Sequence, residues 1–253
     1  MEIPGKTMIR NRFRRGLDTY SEAADIQTWM ADKLCSMIAE YRTYFSDVLE
    51  IGAGTGLLTD RLDHSITWEH RIVNDLVTEC SRFHSHRDKT VFLPGDAEKL
   101  DWGGKFDLIC SNAAFQWLTD LPAFLKRLKS VFNPGGLLAF SNFGPDNLKE
   151  LTALTGHGLH YYSVEELTAM LEQSGFQIHS AEVENHIRKF ADPLDILKEM
   201  RRTGVNASAG QVWWTTRKLA EFRKEYRSRF GDAEGEVSLT WNPVYILAAS
   251  CRD

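Results

Sequence analysis

Val48-Leu-Glu-Ile-Gly52-Ala-Gly54-Thr-Gly56 decides how the rest of the chain is read. A short apolar run ends in three alternating glycines, and Leu57, Leu58 and Leu62 then recur at helical spacing. The pattern predicts a β-strand, a tight turn and an α-helix. Glycine lets the turn adopt left-handed backbone and lets a ligand lie against bare main chain. Loop and helix N–H groups then supply hydrogen-bond donors. A dinucleotide-binding turn has its third glycine one place later, where this chain has Leu57. Glu50, just ahead of the loop, repels pyrophosphate and suits a ligand carrying positive charge.

Downstream, apolar segments at 68–73, 90–94, 106–111 and 137–140 alternate with helical patterns near 76–83, 121–132 and 163–174. Asn133-Pro-Gly-Gly signals a turn, and Ser163 with Glu166 forms a capping box that opens a helix ending before Gly175. Residues 177–187 and 244–251 read as two more strands, separated by a basic, mostly helical stretch. Upstream, Met8, Ile9, Phe13 and Leu17, then Ile26, Met30, Leu34, Met37 and Ile38, predict two helices broken at 18–21. Strands alternating with helices predict an α/β, doubly wound, Rossmann-like sheet, seven-stranded and mostly parallel. An antiparallel last strand needs no crossover helix, which frees the preceding helices to form a lid over the ligand edge. The expected organisation is an N-terminal helical lid (1–44), a cofactor-binding core (45–190), a helical lid insertion (191–238) and a closing strand (239–253).

The 253 residues are 43% hydrophobic and 26% charged, enough for a core of one or two domains. A net charge of −5 excludes a globally basic nucleic-acid coat, and no apolar run is long enough to span a membrane. The basic N-terminus has no apolar segment behind it, so no secretory signal is expected. Cys35, Cys80, Cys110 and Cys251 are widely spaced, which fits a reducing cytoplasm rather than a disulfide framework. His84 with His86, and His157 with His160, lack a third ligand in sequence and read as surface histidines; no metal is expected.

S-adenosylmethionine, with a sulfonium, an ammonium and no phosphate, is the simplest ligand for the Glu50 loop. Gly52, Ala53, Gly54 and Gly56 would give it backbone. Asp75, followed by Leu76, stands where a carboxylate accepts from ribose hydroxyls; its other reading is a helix N-cap. Asp96, Ala97 and Glu98 follow the third strand, where a carboxylate and an N–H meet adenine or form a solvated turn. Asn112, Phe115, Gln116 and Trp117 follow the fourth and would wall the methionine portion, with Trp117 as pocket or core.

With these residues the chain resembles the class I S-adenosylmethionine-dependent methyltransferases, over about residues 45–190 plus the last strand. It further resembles the malonyl-carrier-protein O-methyltransferases of biotin synthesis in four strings. These are Phe13 to Gln27 (F-x-R-x-x-x-x-Y-x-x-x-A-x-x-Q), Ser111 to Trp117 (S-N-x-x-x-Q-W), the Leu197–Gly204–Asn206 segment, and Leu239-Thr-Trp ahead of the last strand. Phe13-Arg-Arg-Gly, where that family has small residues, and Trp213 with Trp214 depart from the pattern. The resemblance implies methylation of the free carboxylate of malonyl-acyl-carrier protein. Gln27 and Tyr20 would then lie on the cofactor, Tyr20 near the transferring methyl.

A carboxylate acceptor is ionised at neutral pH, so no acid–base catalyst is expected. It needs a cation, and Arg201 and Arg202 are the candidates for a bidentate grip, or else surface charges. Residues 198–229 carry nine basic against three acidic side chains, and the first fifteen carry five against one. Such a basic lid suits an acidic acyl-carrier protein, or is a solvated helix face. No nucleic acid or membrane partner is expected, and the chain reads as a monomer. The rival readings are an enzyme for a trans-aconitate-type acid or a quinone-precursor carbon, and a binding module without turnover.

Overall fold

In the computed structural model, residues 5–202 and 215–251 are described. The glycine loop leaves β1 (Tyr44–Ile51), whose buried end faces apolar layers on both sides. Val48 points to one layer, while Leu49 and Ile51 point to the other. That double burial is why the strand reads as a continuous apolar run rather than an alternating one.

Around it stand β2 (Thr67–Asp75), β3 (Thr90–Pro94), β4 (Phe106–Asn112), β5 (Phe132–Phe143), β6 (Phe176–Val183) and β9 (Pro243–Ser250). They form one seven-stranded sheet in the order β3-β2-β1-β4-β5-β9-β6. The pairs from β3 to β5 are parallel, and β9 inserts antiparallel between β5 and β6. Parallel strands 1 and 4 start crossovers in opposite directions, so the carboxyl ends of β1 and β4 flank an open crevice. Helices α2 (Asp25–Tyr41) and α3 (Leu57–Ser65) cover one face; α4 (Leu121–Lys129) and α6 (Val164–Gln173) cover the other. The capping box at Ser163 and Glu166 opens α6, and Gly175 (φ +85°) follows its end.

Helix α1 (Lys6–Ala23) runs past the expected break at 18–21 and stops at Ala24. No side chain caps α2; instead Asp18 is drawn to Arg82, and the Ala24 N–H closes on the Tyr20 carbonyl. The helix expected at 76–83 is a 3-10 turn over Thr78–Phe83. Helix α4 ends at Lys129, short of the expected 132, because Phe132 is already the first residue of β5. The Asn133-Pro-Gly-Gly turn is absorbed into an irregular start of β5, where Gly135 has φ +76° and Asn133 donates to Asp107 (2.9 Å).

The strand expected over 177–187 is two strands. Asn242 Nδ2 donates to the Glu184 carbonyl (2.8 Å) and to Asn185 Oδ1 (3.0 Å), pinning a corner. Beyond that corner β7 (His186–Phe190) leaves the sheet and pairs with β8 (Val237–Trp241) as a separate ribbon. The ribbon supports α5 (Lys149–Thr155), α7 (Pro193–Arg202) and α8 (Thr216–Phe230) through the same apolar layer that buries α2. Buried Glu150 seals α5 onto β8, accepting from the Thr240 N–H (3.0 Å) and Oγ1 (2.5 Å). Gly204, Asn206, Trp213 and Trp214 lie outside the described residues.

Leu34 is fully buried where α2 meets the sheet. Leu34→Ala is expected to lower unfolding free energy by about 2–5 kcal/mol, measured by urea denaturation; a loss under about 1 kcal/mol would count against this packing.

Candidate functional site

One cavity lies over the carboxyl ends of β1, β2 and β4, with α1 as its roof. Its floor is the glycine loop. Gly52 (φ +71°) has no room for a side chain, because a Cβ would overlap that of Ala114. Gly54 (φ +54°) is clamped from both sides. Its N–H donates to Asp75 Oδ2 (2.8 Å), and its carbonyl accepts from His84 Nε2 (3.1 Å). The Asp75 Oδ1 atom accepts from the Val77 N–H (2.8 Å), so this side chain holds the residue ahead of the 3-10 turn, without capping the turn itself, as well as facing the cavity.

His84 is fully buried and stacked on Phe92, which corrects its reading as a surface histidine. Burial lowers its pKa, so the neutral ring keeps one N–H for Gly54. Sequence offered no signal for this, since the ring's value lies in a contact made 30 residues away in the chain.

Glu50 is buried at the end of β1 and accepts from Thr59 Oγ1 (2.8 Å). Burial raises its pKa to about 7, against the opposing pull of Arg71, Thr59 and Arg87. Asp96 lines the cavity with Ala97 and pairs with Lys6 of the roof (3.3 Å). Glu98 is not among the lining residues. It pairs with Lys6 (2.6 Å) and accepts the Thr119 and Asp120 N–H groups (2.9 Å each), so it braces the loop before α4. Gly56 is also outside the lining, because its backbone (φ +96°) is spent starting α3.

Asn112 reaches the wall already committed: it accepts from Ser141 Oγ (2.6 Å) and donates to the Gln27 carbonyl (3.0 Å). Those bonds tie α2 to β4 and β5 and bring Gln27 into the lining. Ala113, next in chain, is held at φ +50°, a strained position for a residue with a Cβ. Gln116 donates to the Ala113 carbonyl (2.7 Å), and its buried Oε1 atom has no partner among the described residues. Phe115 and Trp117 complete this wall; Phe115 also packs into the core against Phe124 and Phe140.

The roof carries Tyr20, Leu76 closes the side beside Asp75, and Tyr20 meets Phe13 edge to face (4.8 Å). Ser21 donates to Thr55 (2.9 Å), fastening α1 to the loop, and a Cβ on Gly54 would lie 3.3 Å from the Phe13 ring. Burial and the Asp75 charge raise the Tyr20 pKa, so its hydroxyl stays a donor. Sequence reasoning missed Lys6, Arg10, Arg12 and Phe13, which the same roof presents. For Lys6, Arg10 and Phe13 the signal was available, since they share helical spacing with Leu17 and Tyr20 on one face of α1; Arg12 lies off that face.

Arg201 and Arg202, expected to grip the acceptor carboxylate or to be surface charges, lie at the end of α7. The buried stripe of α7 is Pro193, Ile196 and Met200, which turns the two arginines outward to solvent. Neither lines the cavity.

A methyltransferase-domain family matches residues 23–181. A malonyl-[acyl-carrier protein] O-methyltransferase of Prosthecochloris aestuarii is 38% identical over 99% of this chain and 96% of its own length. One of Bacteroides fragilis is 39% identical over 96% of this chain, which spans only 50% of that longer protein. Among solved structures, the YcgJ protein of Bacillus subtilis superposes with a TM-score of 0.63 at 16% identity, covering 87% of this chain and 99% of that one. The N-methyltransferase NodS of Bradyrhizobium japonicum, solved with S-adenosyl-L-homocysteine, gives 0.53 at 13% identity, covering 87% and 86%.

The cavity fits S-adenosylmethionine on its own chemistry. Three carboxylates (Glu50, Asp75, Asp96) and the orphaned Gln116 oxygen are acceptors for hydroxyls and cations, and bare backbone at Gly52 and Gly54 admits close approach. A cation beside Glu50 favours its ionised form, so binding releases a proton and tightens as pH rises through about 7. Calorimetry should find the cofactor bound about tenfold more tightly at pH 8 than at pH 6, beyond any change shown by Glu50→Gln. Without ligand the sign reverses. The folded pKa exceeds the unfolded one, so wild-type stability falls over that range and the variant's does not. Equal pH profiles for the two proteins would refute this role of Glu50. By family match, by near-full-length relatives and by the architecture of its cavity, the chain belongs to the methyltransferases, in the group of the malonyl-[acyl-carrier protein] O-methyltransferases.

Proposed function

We propose that the chain methylates the free carboxylate of malonyl-acyl-carrier protein, using S-adenosylmethionine, to make an ester primer for biotin precursor synthesis in the cytoplasm. Supporting this is one juxtaposition: a floor of carboxylates beneath a roof bearing Arg12 and Arg10. The floor suits a cationic donor and the roof an anionic acceptor. The names of the 34–39% identical relatives point to the same substrate.

When bound, S-adenosylmethionine supplies an electrophilic methyl group on sulfur. A malonyl carboxylate held in line with it would take that methyl, gaining the O–C bond while the C–S electron pair stays on sulfur as S-adenosylhomocysteine. The acceptor, with a pKa near 4, is already ionised, so no proton moves and no base is needed. The protein's part is alignment and exclusion of water. Glu50, Asp75, Asp96 and Gln116 hold the donor, and Tyr20 and Phe13 close over it. Arg12, half-buried in the roof, turns the carboxylate toward the methyl. In this reading residues 1–44 and 191–238 act as a lid on a core of 45–190 and 239–253, the protein works as a monomer, and the basic lid receives the carrier.

The test is incubation with labelled S-adenosylmethionine and malonyl-carrier protein, malonyl-coenzyme A or trans-aconitate, followed by a search for a base-labile methyl ester. Ester on the malonyl thioesters is expected; ester on none retires the carboxylate reading. Arg12→Ala should raise the malonyl KM about tenfold or more while cofactor affinity holds within about twofold. An unchanged KM would remove Arg12 from the acceptor site.

A further inference from the structure

Nearly every described arginine is spoken for. Arg61, Arg71, Arg82, Arg87, Arg188, Arg217, Arg223, Arg227 and Arg229 pair with carboxylates, and Arg14 reaches Glu79. Arg42 and Arg127 bond main-chain carbonyls. Among the described residues, Arg10, Arg15, Arg201 and Arg202 are exposed with no carboxylate within ion-pairing distance. All four sit on α1 and α7, the helices that meet where a Cβ on Gly16 would stand 3.6 Å from the Arg202 carbonyl. Glu199, the nearest acid on α7, pairs with Arg188 (2.6 Å); the Arg202 charge also acts on it, from beyond ion-pairing distance. Arg10 also lines the cavity mouth, so the unpaired charge runs from the outer surface to the site.

Guanidinium groups that form no ion pair among the described residues, gathered on a chain of net charge −5, invert the local field. The last-turn dipole of α7 favours Arg201 and Arg202, but Arg10 and Arg15 lie within α1 and gain nothing from it. We propose that the α1–α7 junction, through Arg15, Arg201 and Arg202, is the docking surface for the acidic face of the acyl-carrier protein, with Arg10 at the point where its thioester arm enters. This rests on the malonyl-carrier reading above and narrows it from the basic lid in general to one helix junction, away from α8. Arg201 and Arg202 thus act on the carrier outside the cavity rather than on the carboxylate within it.

The experiment compares malonyl-carrier protein with malonyl-N-acetylcysteamine, a small thioester with an uncharged handle, both of which wild type is expected to methylate. In R15E/R201E/R202E, kcat/KM on the carrier substrate should fall at least about fivefold and lose most of its salt dependence. The rate on the small thioester, the cofactor Kd and the Tm should remain at wild-type values, which shows the variant is folded. K218E/K224E on α8 should leave both substrates unaffected. Equal losses on both substrates, no loss on the carrier, or loss with the α8 pair instead would overturn the docking surface. Wild type inactive on both thioesters defeats the functional reading itself, a distinct result.

Discussion

The backbone of Gly54 carries the site. Its N–H is held by a carboxylate from the end of β2 and its carbonyl by a buried imidazole from the turn after it, so the loop is fixed from two sides by one neighbouring connection. Neither bond can be made unless β1 and β2 lie side by side in parallel register, as they do from Tyr44 to Ile51. Parallel pairing in turn requires both faces of the sheet to be covered. The core, the loop and the cofactor floor are therefore one cooperative object.

Charge is partitioned across the cavity. Acidic groups come from strand ends, which the sheet fixes rigidly, while basic groups come from α1, which is fastened to the loop by Ser21 and by the Phe13 ring over Gly54. Lys6 is the exception that joins the two, spanning Asp96 and Glu98. Anchoring α1 to the acids it covers makes closure of the roof depend on the integrity of the floor. Burial of Glu50 disfavours its charge, and in the proposed reaction a cation beside it would offset that cost, favouring a charged donor over a neutral nucleoside.

Much of the fold was legible because its signals are local. Apolar runs bounded by turns marked the strands, and the capping box at Ser163 marked α6. The floor was legible because its acids follow strand ends at fixed spacing. The β7–β8 ribbon was not. Its departure from β6 depends on Asn242 reaching back 58 residues to Glu184, and a period-2 apolar pattern is the same on either side of such a corner. The break between α1 and α2 was misplaced because Asp18, a good cap by type, found a cation instead.

Sequence alone determined the parallel α/β architecture, the glycine loop and the preference for a cationic, phosphate-free ligand, since each rests on residues close together in the chain. Which arginines face the site was decided only by tertiary structure. Arg12 and Arg201 are equivalent as letters. What separates them is where each helix packs: α1 lies over the cavity and brings Arg12 to its lining, whereas the Ile196 and Met200 stripe buries the opposite side of α7 and leaves Arg201 exposed. Amphipathic spacing fixes which side of a helix is buried, but which helix roofs the cavity depends on contacts far apart in the chain.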